Sequence, residues 1–308
     1  MIKFANLHFK LKNIIFYYIQ LLKARLSLTV VFSSIAGYFL GADDISLLKL
    51  LYLTVGGFFV TGSANGLNQI LEREQDKLME RTAVRPLPKN NISLLHALIF
   101  SLFIGLLGIY LLNFINPDYS FFGLMSKPAF FGLLSIGLYV LVYTPLKQIT
   151  PLSIAVGAIP GAIPFLLGFV AATNDFGIAA GTLFAIQFFW QFPHFISIVW
   201  VQEDAYNRAG FKMMFGNKKG RYAAGIALFT TILMTIISIL PFFNIIVDLN
   251  LSLYGAIIIL FLGLAFIIKT IKLFKGCEDK LARRIMLFSF IYLPIIQIVY
   301  VFDKFFVQ

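Results

Sequence analysis

Apolar residues dominate nine successive stretches of this chain, at about 19–40, 49–70, 93–113, 129–145, 152–172, 177–200, 222–246, 252–271 and 283–302. Polar residues are largely confined to the short segments between them. Each stretch approaches the roughly twenty residues a helix needs to cross the hydrocarbon core of a bilayer. The short alternating segments of a membrane β-barrel are absent. The pattern predicts an all-α, polytopic membrane protein with about nine transmembrane helices. The first and fourth stretches are the shortest once Lys23, Arg25 and Lys127 are set aside.

Composition agrees. Of 308 residues 59% are hydrophobic and 13% charged, and the mean hydropathy is +0.88, whereas about 25% of residues are charged in an ordinary soluble domain. Charge then orients the chain. With nine spans, 22 of the 25 lysines and arginines fall on the side of the N-terminus, leaving only Lys49, Lys127 and Lys304 opposite. Basic loops stay in the cytoplasm, so the N-terminus is expected inside and the C-terminus across the membrane. The net charge of +11 then reports orientation and contact with anionic lipid rather than nucleic acid. The start of the chain has no small-residue cleavage site, so no cleaved signal peptide is expected. Cys277, the single cysteine, forms no intrachain disulfide. A single membrane-embedded domain over 1–308 is expected, with 1–18 as a cytoplasmic or interfacial segment.

The densest cluster of acids follows the second stretch, in NQILEREQDKLMERTAVRPLP, Asn68 to Pro88. Asn68, Glu72 and Asp76 are spaced i, i+4, i+8, so on a helix they advance about 40° per step and share one face. Glu74 points elsewhere. Two acids on one face repel, and a cation between them removes the conflict. Arg73 and Lys77 would make it an ordinary salt-bridged helix end. Mg²⁺ fits better, because it takes carboxylate and amide oxygens and keeps positions open for phosphate. Arg81 and Arg85 follow at once, and guanidiniums clamp phosphate oxygens. Pro86 and Pro88 end the helix.

A second polar feature lies within the sixth stretch. Gln187, Gln191 and His194 recur at i, i+4, i+7 beside Pro193, and polar groups at membrane depth usually face a cavity or a site. That stretch exits through Glu203 and Asp204, candidates for a second metal, then Tyr206 and Arg208. Acidic clusters after the second and sixth stretches suggest two parallel repeats, about 19–145 and 152–271. Their carboxylates would converge at one end of a central helical cavity.

The elements Asn68-x-x-x-Glu72-x-x-x-Asp76, Met79-Glu80-Arg81-Thr82 and Arg85-Pro86-Leu87-Pro88 resemble the first signature of the UbiA-type intramembrane prenyltransferases. Tyr143-Thr144-Pro145-Leu146-Lys147, the small-residue run Gly157 to Pro164, and Pro193-His194-Phe195 resemble the haem-farnesylating branch of that superfamily. The chain departs from the pattern at Ala24 within Lys23-Ala24-Arg25, at Glu72 in place of Asp, at Gln148 and at Ala205; the last weakens the second metal site. The resemblance implies transfer of farnesyl from farnesyl diphosphate to a vinyl group of haem b, with water adding, to give haem O for haem-copper oxidases. It implies Mg²⁺ as cofactor, held by Asn68, Glu72 and Asp76, with Glu203 and Asp204 for any second ion. Arg73, Lys77, Arg81, Arg85 and Lys147 would bind diphosphate. Tyr143, with Phe188, Phe189 and Phe192, would face the allylic cation. Gln187, Gln191 and His194 would meet the haem, His194 through the iron or through a propionate. Membrane lipids, and downstream a haem A synthase or oxidase assembly proteins, are the implied partners, and the membrane is a bacterial-type inner membrane.

Two other classes compete: a relative that prenylates an aromatic ring, against which Pro193-His194-Phe195 argues, and a transporter with midplane polar residues, which would carry solute and release no diphosphate. The orientation is directly testable. Reporter fusions after Gln308 and before Met1 are expected to report from opposite sides of the membrane; signals from the same side would refute nine spans.

Overall fold

The computed structural model describes residues 13–117 and 123–307. Lys3, Lys10 and Lys12, counted above among the basic residues, lie outside them. Among the described residues nine helices are long and apolar enough to cross a membrane. They are α1 (Ala24–Gly41), α2 (Leu47–Leu71), α3 (Leu94–Asn113), α4 (Lys127–Gly137), α5 (Ser153–Thr173), α6 (Ile178–Val201), α7 (Arg221–Ile239), α8 (Leu253–Gly276) and α9 (Asp279–Phe306). A π-helical stretch, Leu138–Tyr143, prolongs α4 to Leu146. Four of these helices begin on a serine, Ser46, Ser93, Ser126 and Ser252, whose hydroxyl accepts an otherwise unpaired N–H of the first turn.

The first stretch is not the single helix expected over 19–40. Residues 13–21 are helical, Leu22 and Lys23 turn, and α1 starts at Ala24, with Lys23 in the left-handed region at φ 47°. Polar side chains hold the corner open. Gln69 Nε2 donates to the Leu21 carbonyl at 2.7 Å, and Ser27 Oγ to that of Leu22 at 2.8 Å. Broken helix inside a membrane persists only where such partners replace water. At the other end of the chain, α9 extends further than expected, from Asp279 to Phe306.

Each helix packs on its sequence neighbour, and α9 returns to α1 to close the ring. Across the ring α1 packs on α5 and α6 on α9. The most enclosed helix is α5, 78% of whose apolar window is buried against 28% for α3 and α8. Its glycines explain how. A Cβ on Gly168 would stand 1.8 Å from the Ser34 carbonyl oxygen, and one on Gly37 2.1 Å from that of Phe165. Helices α1 and α5 therefore touch backbone to backbone near the ends remote from the Asn68–Pro88 segment. Small residues are what permit such contact where lipid offers no hydrophobic drive to association.

Gly168→Ala is expected to force α1 and α5 apart, at a cost of about 1–3 kcal/mol. Gly181→Ala in α6, where a Cβ would meet nothing within 4 Å, is expected to be neutral or slightly stabilising. Thermal melts of the two variants in detergent compare them; equal melting temperatures would refute the backbone contact.

Candidate active site

Helix α2 ends at Leu71, and Glu72 leaves helical geometry at φ −95°, ψ 14° before a short helix, Arg73–Lys77. The expected single helix is thus interrupted in the middle of the motif. Its spacing survives, because Glu72 N–H donates to the Asn68 carbonyl at 2.9 Å and Asp76 N–H to that of Glu72 at 2.8 Å. Asn68, Glu72 and Asp76 are 2%, 5% and 1% exposed.

Burying two carboxylates requires compensating charge. One Arg85 nitrogen, Nη1, donates to both Asp76 oxygens at 2.9 and 2.7 Å, and Lys147 forms an ion pair with Glu72. Thr82 Oγ1 donates to the Asp76 carbonyl at 2.8 Å, which folds the Glu80–Ala83 turn back over the motif. Lys147 Nζ lies 4.6 Å from the Tyr143 ring centre and 5.6 Å from that of Phe211, and its carbonyl accepts from Lys212 N–H at 2.7 Å. Three loops, following α2, α4 and α6, are joined there. A Cβ on Gly157 would stand 2.6 Å from the Tyr143 ring, so this glycine admits the tyrosine.

Arg73 and Lys77 form the salt-bridged helix end that the sequence offered as the alternative to diphosphate binding. Both turn to exposed Glu74, each at 2.8 Å, because their side chains leave the helix on its solvent side; those two cations hold its carboxyl below the usual carboxylate range. Arg81 is exposed but lies close enough to influence the Tyr206 hydroxyl, as do Arg85, Glu72 and Asp76. Burial raises that hydroxyl and also raises the Asp76 carboxyl, against which Arg85 pulls down. Lys23 was not expected in the site. The left-handed turn brings it half-buried beside Arg85 and Lys147, and burial, reinforced by those two cations, lowers its ammonium to about 7. Only its place before Arg25 hinted at this, since nothing in the sequence marks the turn.

Asn68 Nδ2 donates to Thr144 Oγ1 at 3.0 Å, and that hydroxyl donates to the Tyr139 carbonyl at 2.8 Å. The amide is thereby oriented with Oδ1 left over. Two carboxylates and this amide oxygen make a hard-oxygen donor set that suits Mg²⁺, with Arg85 and Lys147 placed for phosphate. The second acidic pair follows α6, on the short helix Glu203–Arg208 that also carries Tyr206. Among the described residues no three His, Cys, Asp or Glu side chains gather as a metal site. Asp204 is exposed, and Glu203 faces Lys219 at 3.6 Å, which also binds Asp279 of α9 at 2.9 Å.

Beneath the motif lies a cavity of about 640 Å³. Its lining includes Asn65, one turn before Asn68, with Tyr139, Gln187, Gln191 and His194. Leu28 and Phe32 of α1 and Phe290 and Ile298 of α9 both line it and are exposed, so it opens sideways between these helices. Gln187 Nε2 donates to the Gly161 carbonyl at 2.9 Å, and Gln191 occupies the space a Cβ on Gly161 would need. His194 Nδ1 lies 2.8 Å from Ser289 Oγ of α9. Phe188, Phe189 and Phe192 do not line the cavity; they pack on one another with ring centres 5.3 Å apart. They sit about 100° or more around α6 from the glutamine–histidine face. The aromatic lining comes instead from Phe32, Tyr139, Trp190, Phe195 and Phe290.

Residues 30–293 match the profile of the UbiA prenyltransferase family. The chain is 45% identical over 298 residues to the protoheme IX farnesyltransferase of Flavobacterium psychrophilum, covering 96% of each. It is 46% identical over 286 residues to that of Christiangramia forsetii, covering 93% of this chain and 92% of the relative. A solved structure of digeranylgeranylglyceryl phosphate synthase superposes with a TM-score of 0.77 at 23% identity, over 96% of this chain and 98% of that one. A UbiA homologue from Archaeoglobus fulgidus, bound to GPP and Mg²⁺, superposes with a TM-score of 0.67 at 16% identity, over 92% and 99%.

Removing one member of a buried pair strands the other. Arg85→Met is therefore expected to lower stability on the order of 3 kcal/mol, while Glu74→Ala leaves the melting temperature unchanged. Thermal melts of the two purified variants test this, and comparable losses would mean the motif is a general charge patch.

Proposed function

We propose that this chain, which belongs to the UbiA prenyltransferase family and within it to the protoheme IX farnesyltransferases, joins a farnesyl group from farnesyl diphosphate to a vinyl group of haem b. Water adds to the other vinyl carbon, diphosphate leaves, and the product is haem O, for use by haem-copper oxidases. The observation that carries this reading is one juxtaposition. A buried carboxylate–amide motif with its own cations stands one helical turn from an apolar cavity open to lipid.

The two chemistries separate along the helix axis. At the motif, Asn68, Glu72 and Asp76 would hold Mg²⁺, which neutralises the charge that develops on the departing diphosphate. Arg85 and Lys147 already neutralise those carboxylates and would turn to phosphate oxygens when the ion takes their place; Lys23 stands beside them. Below, the apolar walls take the farnesyl tail and keep water from the allylic cation, for which Tyr139 and Tyr143 offer aromatic faces. Gln187, Gln191 and His194 line the region left for the haem. Both substrates are greasy enough to enter from the bilayer between α1 and α9. In this reading the motif faces the cytoplasmic side of a bacterial-type inner membrane with the N-terminus inside, as the bias of basic residues among the loops supports.

Membranes containing the chain, given haem b, farnesyl diphosphate and Mg²⁺, are expected to yield a haem heavier by one farnesyl group and one hydroxyl, the second proton of the water being released, identified by mass spectrometry. Asp76→Ala should reduce that product by about 10²-fold or more, and Glu74→Ala should retain it. Formation of a prenylated aromatic ring in place of haem O would refute the acceptor assignment.

A further inference from the structure

Ser289 of α9 is fully buried, and its hydroxyl makes two short contacts. It donates to the Met286 carbonyl at 2.7 Å and lies 2.8 Å from His194 Nδ1. The Met286 carbonyl can only accept, and a hydroxyl proton turned to Nδ1 instead would leave two acceptor oxygens facing each other at 2.7 Å, so the proton is assigned to Met286. Toward the ring the hydroxyl oxygen can only accept, and Nδ1 must carry the imidazole proton. In the neutral ring Nε2 is then a bare lone pair. Among the described residues nothing hydrogen-bonds Nε2, and the side chain lines the lipid-open cavity.

The ring is also immobilised. Trp190 stacks on it, with ring centres 4.5 Å apart and planes 17° from parallel. The indole N–H of Trp190 donates at 3.0 Å to the Ser289 carbonyl, so one residue of α9 anchors both rings. Phe290 meets the imidazole edge to face at 5.0 Å. The stacking indole covers a ring face, whereas the Nε2 lone pair projects in the ring plane and stays open.

We propose that His194 is the axial ligand of the iron in the acceptor haem, through Nε2, and that Ser289 is the positioning residue that fixes the ligating tautomer. This rests on the reading of the acceptor as haem b. It also decides between two roles for the histidine. A propionate would need a donor at Nε2, but with the proton held at Nδ1 that nitrogen offers a lone pair, which repels a carboxylate and suits a metal. A hydrogen-bond acceptor behind a metal-bound histidine orients the ring and raises its basicity, and losing it typically costs about 10–100-fold in affinity.

The test uses the full chain in lipid nanodiscs, titrated with haem b and followed by absorption and by resonance Raman of the ferrous complex. The wild type is expected to show an iron–histidine stretch. His194→Gly should lose it and regain a histidine-like spectrum on addition of free imidazole, with farnesyl diphosphate affinity unchanged. Ser289→Ala should bind haem about 10-fold more weakly and move the iron–histidine frequency, which a purely structural serine would not do. Haem bound with the wild-type spectrum by His194→Gly would overturn the ligation while leaving the haem reading intact. Wild-type protein that binds farnesyl diphosphate but no haem would overturn both. If His194→Gly does not fold, Ser289→Ala decides, and an unshifted frequency overturns the assignment.

Discussion

Two carboxylates, on Glu72 and Asp76, are taken out of water at the boundary of the membrane, and the chemistry end of the molecule is organised around that constraint. A buried, uncompensated carboxylate would cost several kcal/mol. Compensation comes from cations distant in sequence or in structure: Arg85 reaches back from beyond a short turn, and Lys147 comes from the junction of α4 and α5. Satisfying the charges therefore folds the Asn68–Pro88 segment and pins it to a second loop. The Lys147 carbonyl then captures Lys212 N–H from a third. The same cations suit a diphosphate, so what stabilises the fold also prepares it for its proposed substrate.

The opposite end is closed by different means. Gly37 and Gly168 let α1 and α5 touch through their backbones, while Leu28 and Phe32 of α1 and Pro160 and Ile163 of α5 line the cavity. The three basic residues that break the charge asymmetry all act as tethers at this end. Lys49 Nζ donates to Asn116 Oδ1 at 2.9 Å, Lys127 Nζ to the Asn174 carbonyl at 2.6 Å, and Lys304 Nζ to the carbonyls of Leu40 and Ala42 at 2.9 and 2.8 Å. Two of them thus satisfy carbonyls at or just beyond the C-terminal ends of α5 and α1, where a positive charge also meets the helix dipole favourably. Buried Asp303 serves the same end from α9, receiving the Ser252 N–H at 2.7 Å. The cavity below the motif is thereby closed from one side, while it opens between α1 and α9, where the proposed substrates would enter.

Helix α5 shows how small residues set the positions of larger neighbours. Gly157 makes room for Tyr143, Gly161 for Gln191, and Gly168 for the Ser34 carbonyl. Three neighbours from three different helices are set by one repeated absence of a side chain. The π-helical end of α4 adds to this, since the extra residue per turn places the Tyr139 carbonyl to accept from Thr144, which in turn orients Asn68. π-Helical segments recur at functional sites for this kind of re-aiming.

The amino-acid pattern by itself determined the nine hydrophobic helices, the charge asymmetry between the loops, the shared face of Asn68, Glu72 and Asp76, and the polar stripe of Gln187, Gln191 and His194. These are local properties: apolar run length, charge count and helical periodicity are all set by residues within one segment. Only the tertiary structure decided that Glu72 pairs with Lys147 and Asp76 with Arg85, and that Arg73 and Lys77 are spent on Glu74. It also decided that Lys23 enters the site and that Glu203 faces Lys219, that the phenylalanines of α6 pack on one another, and that Ser289 stands behind His194. Each of those outcomes depends on which helices become neighbours and on how each is rotated. Packing across the ring sets both, through contacts between residues separated by dozens of positions, and no single segment contains them.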